Sequence, residues 1–192
     1  MMHKMVTLGR ACRRRAWLLA ALCLLGSGAT VAAPAPVQPI AALDVPRYLG
    51  TWYEIARLPN RFQKQCAGFV VANYSLKPDG TLAVLNRCRL ANGATDEALG
   101  SAHQVGGPTS PMLKVRFAPA WLSFLPAVWG DYWVIDLDER YQLAAVSDRK
   151  REYLWVLARH ATVDQKAYAS LLARLRQQGF EVERLVPTRQ TD

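Results

Sequence analysis

From residue 51 onward the chain alternates apolar and polar residues over eight short runs, and no other feature constrains its fold so strongly. Successive side chains of a strand point to opposite faces, so strict alternation marks strands with one face covered and one wet. The runs are TWYEIAR (51–57), FVVANYSL (69–76), TLAVLNRCRL (81–90), EALGSAHQV (97–105), MLKVRFA (112–118), DYWVIDL (131–137), YQLAAVS (141–147) and YLWVLAR (153–159). The gaps between them carry turn chemistry. In KPDG (77–80), Pro78 presets a hairpin and Gly80 closes it. ANGATD (91–96), GGPTSP (106–111) and DLDERY (136–141) make further breaks. Eight strands joined this tightly predict an all-β antiparallel meander, closed as an eight-stranded up-and-down barrel. One helix follows, at 163–178. Tyr168, Leu171, Leu172 and Leu175 recur at helical spacing, Thr162 and Gln165 have the spacing of a capping box, and Gly179 stands at the stop.

The first 33 residues read as a secretory signal peptide. Lys4, Arg10, Arg13, Arg14 and Arg15 precede the apolar run AWLLAALCLL, and the small residues GSGATVAA follow it. The apolar run is short for a bilayer-spanning helix, which needs about 20 residues. Cleavage after Ala32 or Ala33 leaves a proline-rich, extended lead-in at 34–47 and one domain at 48–192. The net charge of +9 comes from 24 bases and 15 acids; five of the bases and none of the acids lie in 1–33, so the remainder carries +4. Without a long basic stripe, that balance argues against a nucleic-acid partner. Cys12 and Cys23 leave with the leader. Cys23 is not expected to carry an acyl anchor, because Leu22 and not a small residue stands before it. Cys66 and Cys88 remain, and an even pair in an exported chain suggests one disulfide. The hairpin opposes it. With Lys77 opposite Gly80, Cys88 faces Phe69, and the chain has to fold back at Gly68 to bring Cys66 within reach.

GTWYEIA near the start of the domain, DERY (138–141) at a late corner and Arg159 at the end of the last strand resemble the three signature regions of the lipocalin family. YLGTWYEIARLPNRFQ, YSLKPDGTLAVLNRC and REYLWVLAR resemble the bacterial outer-membrane lipocalins and their apolipoprotein D relatives in particular, over residues 44–187. The resemblance implies a barrel signature of Gly50, Trp52, Asp138, Tyr141 and Arg159, with Trp52 plugging the closed end under the guanidinium of Arg159. It implies fatty acids or lysophospholipids as ligands, stored or transported in the envelope for membrane maintenance, and an exported, periplasmic or outer-membrane-associated protein.

With Trp52 inside, Glu54 and Ala56 also face inward. Elsewhere the polar residues choose the parity. Lys114 and Arg116 go out, so Val115 and Phe117 point in; Asn73 and Ser75 go out, leaving Val70, Ala72, Tyr74 and Leu76 inside; Arg87 goes out, leaving Val84 and Asn86 inside. Tyr132 and Val134 join them, with Asp136; YLWVLAR has no polar face, which suits burial on both sides, with Tyr153 and Trp155 inward and Leu154 and Val156 under the helix. A charge such as Glu54 among these walls needs a partner or water, which a partly wet cavity would supply. Small inward residues, Ala72 and Gly100 among them, leave room for it.

Alternate connections share one end of a meander, so 58–68, 91–96, 119–130 and 147–152 form the mouth. It carries Arg61, Phe62, Trp121, Phe124, Trp129, Arg149, Lys150 and Arg151. Apolar groups beside bases suit an amphiphile with an anionic head or a membrane surface; loop 119–130 is open to three roles, as a lid, a membrane contact or a homodimer contact. A binding protein rather than an enzyme is expected, without cofactor or metal, since no His/Cys cluster is present. The alternatives are an isomerase-type lipocalin using Cys88 as a cavity thiol, or a binder of haem or a pigment.

Overall fold

The computed structural model describes residues 35–191; the predicted leader, with Cys12 and Cys23, lies outside them. The strands are β1 Gly50–Arg57, β2 Cys66–Leu76, β3 Leu82–Leu90, β4 Thr95–Gln104, β5 Met112–Arg116, β6 Gly130–Leu137, β7 Leu143–Ser147 and β8 Leu154–Ala158. Each pairs antiparallel with the next, β8 pairs with β1, and β1 pairs with β2, which closes an eight-stranded barrel. A two-residue strand, β9 (Val186–Pro187), adds to β1.

Two apolar layers hold the fold. One fills the closed half of the barrel, with Trp52, Leu82, Val134, Ala144 and Val146. The other lies between the barrel wall and a helix, with Leu154 and Val156 from β8 meeting Leu171 and Leu175. That helix (Gln165–Gln177) is capped by Asp164, whose side chain accepts from the backbone N–H of Ala167, so the cap is not Thr162. Gly179 ends it with a φ of +83°.

The closed end is more elaborate than an extended lead-in. A single turn of helix, Val45–Tyr48, buries Tyr48, and Leu43 is buried beside it. Ile40 and Leu43 tie the segment to the barrel by donating to the carbonyls of Val134 and Thr109. Trp52 is wholly buried and donates to the Tyr48 carbonyl at 2.8 Å. The Arg159 guanidinium lies 4.0 Å from the Trp52 ring centre and donates to the carbonyls of Arg47, Thr51 and Tyr141. Gly50, at a φ of +91°, leaves room for it: a Cβ there would lie 3.5 Å from the guanidinium. Asp138 shapes the neighbouring corner by accepting from the backbone of Gln142 and Leu143, and Tyr141 accepts from the backbone of Asp44.

The β2–β3 register differs from the one expected. Lys77 bonds Thr81 across the hairpin, and Leu76 stands opposite Leu82 at the end of the ladder, where it is 57% exposed rather than inside. The Cys66–Cys88 disulfide forms nonetheless, with the Cα atoms 5.6 Å apart. Register shifts on either side of Gly68, with Phe69 at a φ of +53°, draw Cys66 back toward β3.

Two further bulges change which residues face in. Between Glu54 and Ala56, β1 gains a residue on β8, so Ala56 stands opposite Val156 and Arg57 opposite Trp155. Ala56 is therefore buried against the wall rather than lining the cup, and Arg57 turns toward Glu54. Between Val134 and Asp136, the same device sends Asp136 outward. There it accepts two hydrogen bonds from Arg174 of the helix, at 2.7 and 2.8 Å.

Candidate functional site: the barrel cup

The open half of the barrel holds a cavity of about 170 Å³. Val70, Ala72 and Tyr74 of β2, Val84 and Asn86 of β3, and Val115 of β5 line it, with Phe117, Tyr132 and Trp155. Gly100 faces Val84 across β3–β4, and a Cβ there would stand 2.8 Å from the Phe117 ring, so the missing side chain is what seats that ring. Val134 is buried in the closed-end layer and does not line the cavity. Tyr153 also stays off the wall; it stacks on Trp155 at 5.6 Å and meets Phe62 at 5.5 Å.

Glu54 is 2% exposed, and protein groups rather than water answer its charge. Arg57 donates to it at 2.6 Å, Gln63 at 2.6 Å, and the Thr188 hydroxyl also donates. Gln63 in turn accepts from Trp155 Nε1 and from Asn60, each at 2.8 Å. The C-terminal segment completes this wall. Thr188 donates to the Ile55 carbonyl, Phe69 donates to the Arg189 carbonyl, and the Gln190 side chain donates to the carbonyls of both Glu54 and Val70. It thus satisfies backbone groups of β1 and β2 beyond Tyr53 and Val71, where their own ladder stops. Neither Thr188 nor Gln190 carries a periodic signal, and sequence reasoning passed them over.

The floor is a chain of three phenols. Tyr132 bonds Tyr48 at 2.9 Å and Tyr74 at 2.8 Å, oxygen to oxygen. Burial pushes the Tyr74 hydroxyl up to about 12 and raises the other two well above the ordinary tyrosine value, so all three are uncharged phenols. Asn86 Oδ1 is shielded and makes no hydrogen bond.

At the mouth, Phe62, Trp121 and Phe124 are 55, 72 and 74% exposed. Trp121 and Phe124 do not line the cavity. Trp129 is not at the rim. It packs on the outer wall against His103 at 4.6 Å and Arg116, and donates to the Ser123 carbonyl. Arg116, outward as expected, is thereby buried. Arg151 also leaves the mouth: it donates to the carbonyls of Gln178 and Ala35 and lies over Phe180. Arg149 and Lys150 are exposed, with Lys150 3.9 Å from Glu152. Arg57, Arg61 and Lys64 line a shallow outer groove that meets the cavity at Gln63. Among the described residues, no group of His, Cys, Asp or Glu is placed to hold a metal ion, and no helix is long and apolar enough to cross a membrane.

The family model of the lipocalin-like domain matches residues 43–190. Temperature-induced lipocalin-1 of Arabidopsis thaliana is 38% identical over 158 residues, 81% of this chain and 84% of that protein. Outer membrane lipoprotein Blc of Escherichia coli strain K12 is 38% identical over 154 residues, 80% of this chain and 82% of that protein. Among solved structures, apocrustacyanin C1 superposes with a TM-score of 0.61 at 15% identity, covering 78% of this chain and 81% of that one. A closed eight-stranded cup, a tryptophan plug under an arginine and this extent of match agree: the chain belongs to the lipocalin family.

Proposed function

We propose that this lipocalin carries a single-chain lipid of the fatty acid or lysophospholipid class within the cell envelope, with the acyl chain in the cup and the polar head at the rim. The observation behind this reading is the cup itself: closed by Trp52 below, walled by Val70, Val84, Val115, Phe117 and Trp155, and open above. Burial of apolar surface contributes about 25 cal/mol per Å² before association costs, so an alkyl chain is the ligand such walls favour. Arg61 and Lys64, in the groove that joins the cavity at Gln63, suit an anionic head group. Exposed Trp121 and Phe124 suit contact with a membrane surface during loading. The predicted leader and the outer-membrane relative support an exported, envelope-associated protein; Leu22, standing where a small residue would precede a lipid-bearing cysteine, is the ground for reading Cys23 as not acylated. A thiol isomerase is the weaker reading, because the Cys88 sulfur is bonded to Cys66 and cannot act as a thiolate.

The test is native mass spectrometry of protein purified from its own envelope, followed by titration of delipidated protein with acyl lipids. A co-purifying single-chain lipid is expected, and the same spectrum shows whether a second copy is bound. Ala72→Phe, which fills the cavity from its wall, is expected to abolish lipid binding at an unchanged melting temperature. Undiminished binding by that variant would remove the cup from the function.

A further inference from the structure

The floor of the cup has one donor and one acceptor to spare. Tyr48, Tyr74 and Tyr132 carry three hydroxyl protons, and the two hydrogen bonds among them use two. In two of the three possible arrangements the remaining O–H belongs to Tyr74 or Tyr132, which both line the cavity. The spare acceptor is Asn86 Oδ1, shielded and without a hydrogen bond. Asn86 shares the inward face of β3 with Val84, which stands opposite Tyr74, so it is the diagonal neighbour of that tyrosine across the β2–β3 pair. Buried polar groups are ordinarily paired, and leaving either of these unpaired is costly.

We infer that the ligand carries a hydroxyl on the end that enters first, held between the Tyr74–Tyr132 phenols and the Asn86 amide, which lines the cavity and turns its shielded oxygen toward the ligand on binding. A hydroxyl on the chain end answers both at once: its oxygen accepts from the phenol and its hydrogen donates to the amide oxygen. A carboxylate has no proton to give Asn86, and it would enter beside Glu54, whose cation is already engaged. An ammonium has no lone pair for the phenol. A plain methyl end leaves both groups unpaired. The ligand class is therefore a hydroxylated single-chain lipid. This rests on the cup being a lipid site, and it adds what that site reads at its base.

The test compares a saturated fatty acid with its ω-hydroxy analogue of equal length, so that head group and rim contacts are the same. Calorimetry on delipidated wild-type protein is expected to show the analogue bound at least as tightly as the parent, although it is the more water-soluble of the two. Asn86→Leu and Tyr132→Phe are each expected to weaken the analogue by about tenfold and leave the parent within about twofold. Asn86→Leu removes an unpaired group, so its melting temperature is not expected to fall, and it keeps the test open should Tyr132→Phe fold poorly. Wild-type binding of the analogue about tenfold weaker than the parent, or equal losses of both ligands in Asn86→Leu, would overturn the inference and leave the lipid cup standing. Binding of neither acid would overturn the lipid reading and this inference with it.

Discussion

The two ends of the barrel are built to opposite rules. At the closed end, polar groups are answered from within the chain: Trp52 by the Tyr48 carbonyl, Arg159 by three carbonyls and an indole face, and Asp138 by three backbone donors. At the open end, Trp121 and Phe124 face solvent, and Arg61 and Lys64 are exposed. The contrast separates residues that hold the barrel from residues free to meet something else. Substitutions below should cost stability, and those of the exposed residues above should cost binding.

The sharpest way to break the contrast is Trp52→Ala. Truncating a wholly buried tryptophan typically costs about 3–5 kcal/mol, and lipid binding should fall only as the folded fraction falls. A wild-type melting temperature in this variant would refute the plug. Next comes the pair Cys66→Ala and Cys88→Ala. The bridge spans a separation of 22 residues, for which chain entropy gives about 3 kcal/mol. Chemical denaturation of the double variant should show a loss of that size, and two free thiols per chain in the denatured, unreduced wild type would deny the bridge itself.

The phenol floor predicts an alkaline limit. Tyr74 is pushed from 10.0 in the ordinary tyrosine to about 12 by burial. A raised pKa means that the folded state favours the protonated phenol. The stability it contributes is whole below pH 10 and is lost as the pH rises through about 12. Denaturation midpoints across that window should drop more steeply in the wild type than in Tyr74→Phe; parallel curves would mean that the floor is wet.

Gln190→Ala probes the seam at the mouth, where one side chain serves the carbonyls of Glu54 and Val70. Losing it should cost about 1–2 kcal/mol, with hydrogen exchange rising around Val70 and not around Trp52. The smallest effect belongs to Arg61→Gln with Lys64→Gln. Exposed charges are worth little, so an anionic lysolipid should weaken by about two- to fivefold at low salt and a neutral analogue hardly at all. The difference should fade at high salt, since screening acts over about 10 Å at 0.1 M. Equal losses for both lipids would place the head group elsewhere.

How much of the site could be read in advance depended on the range of the cause. Tyr74, Val84, Asn86 and Val115 could be assigned to an inward face from polar residues on their own strands, and Trp155 from a strand that lacks a polar face, because strand parity is a local property. Ala56, Asp136 and Arg57 could not. Their orientation follows from bulges on β1 and β6, which exist only in register against β8 and β7. Arg151 and Trp129 looked like rim residues because they stand in mouth loops, but a long side chain goes where its partner is, and those partners lie at the helix end and on the outer wall.

The sequence by itself determined the barrel, the helix after it and which face of most strands turns inward, since alternation and turn residues act over a few neighbours; the tryptophan and arginine of the plug were implied by the family resemblance of short signatures. Only the tertiary structure decided how Glu54 is neutralised, that Tyr48 from the lead-in joins Tyr74 and Tyr132 in the floor, and that Thr188 and Gln190 finish the wall. Those contacts join residues as far apart as 136 positions, and no local pattern carries such a pairing: it arises when a closed barrel leaves particular backbone and side-chain groups in need of a partner.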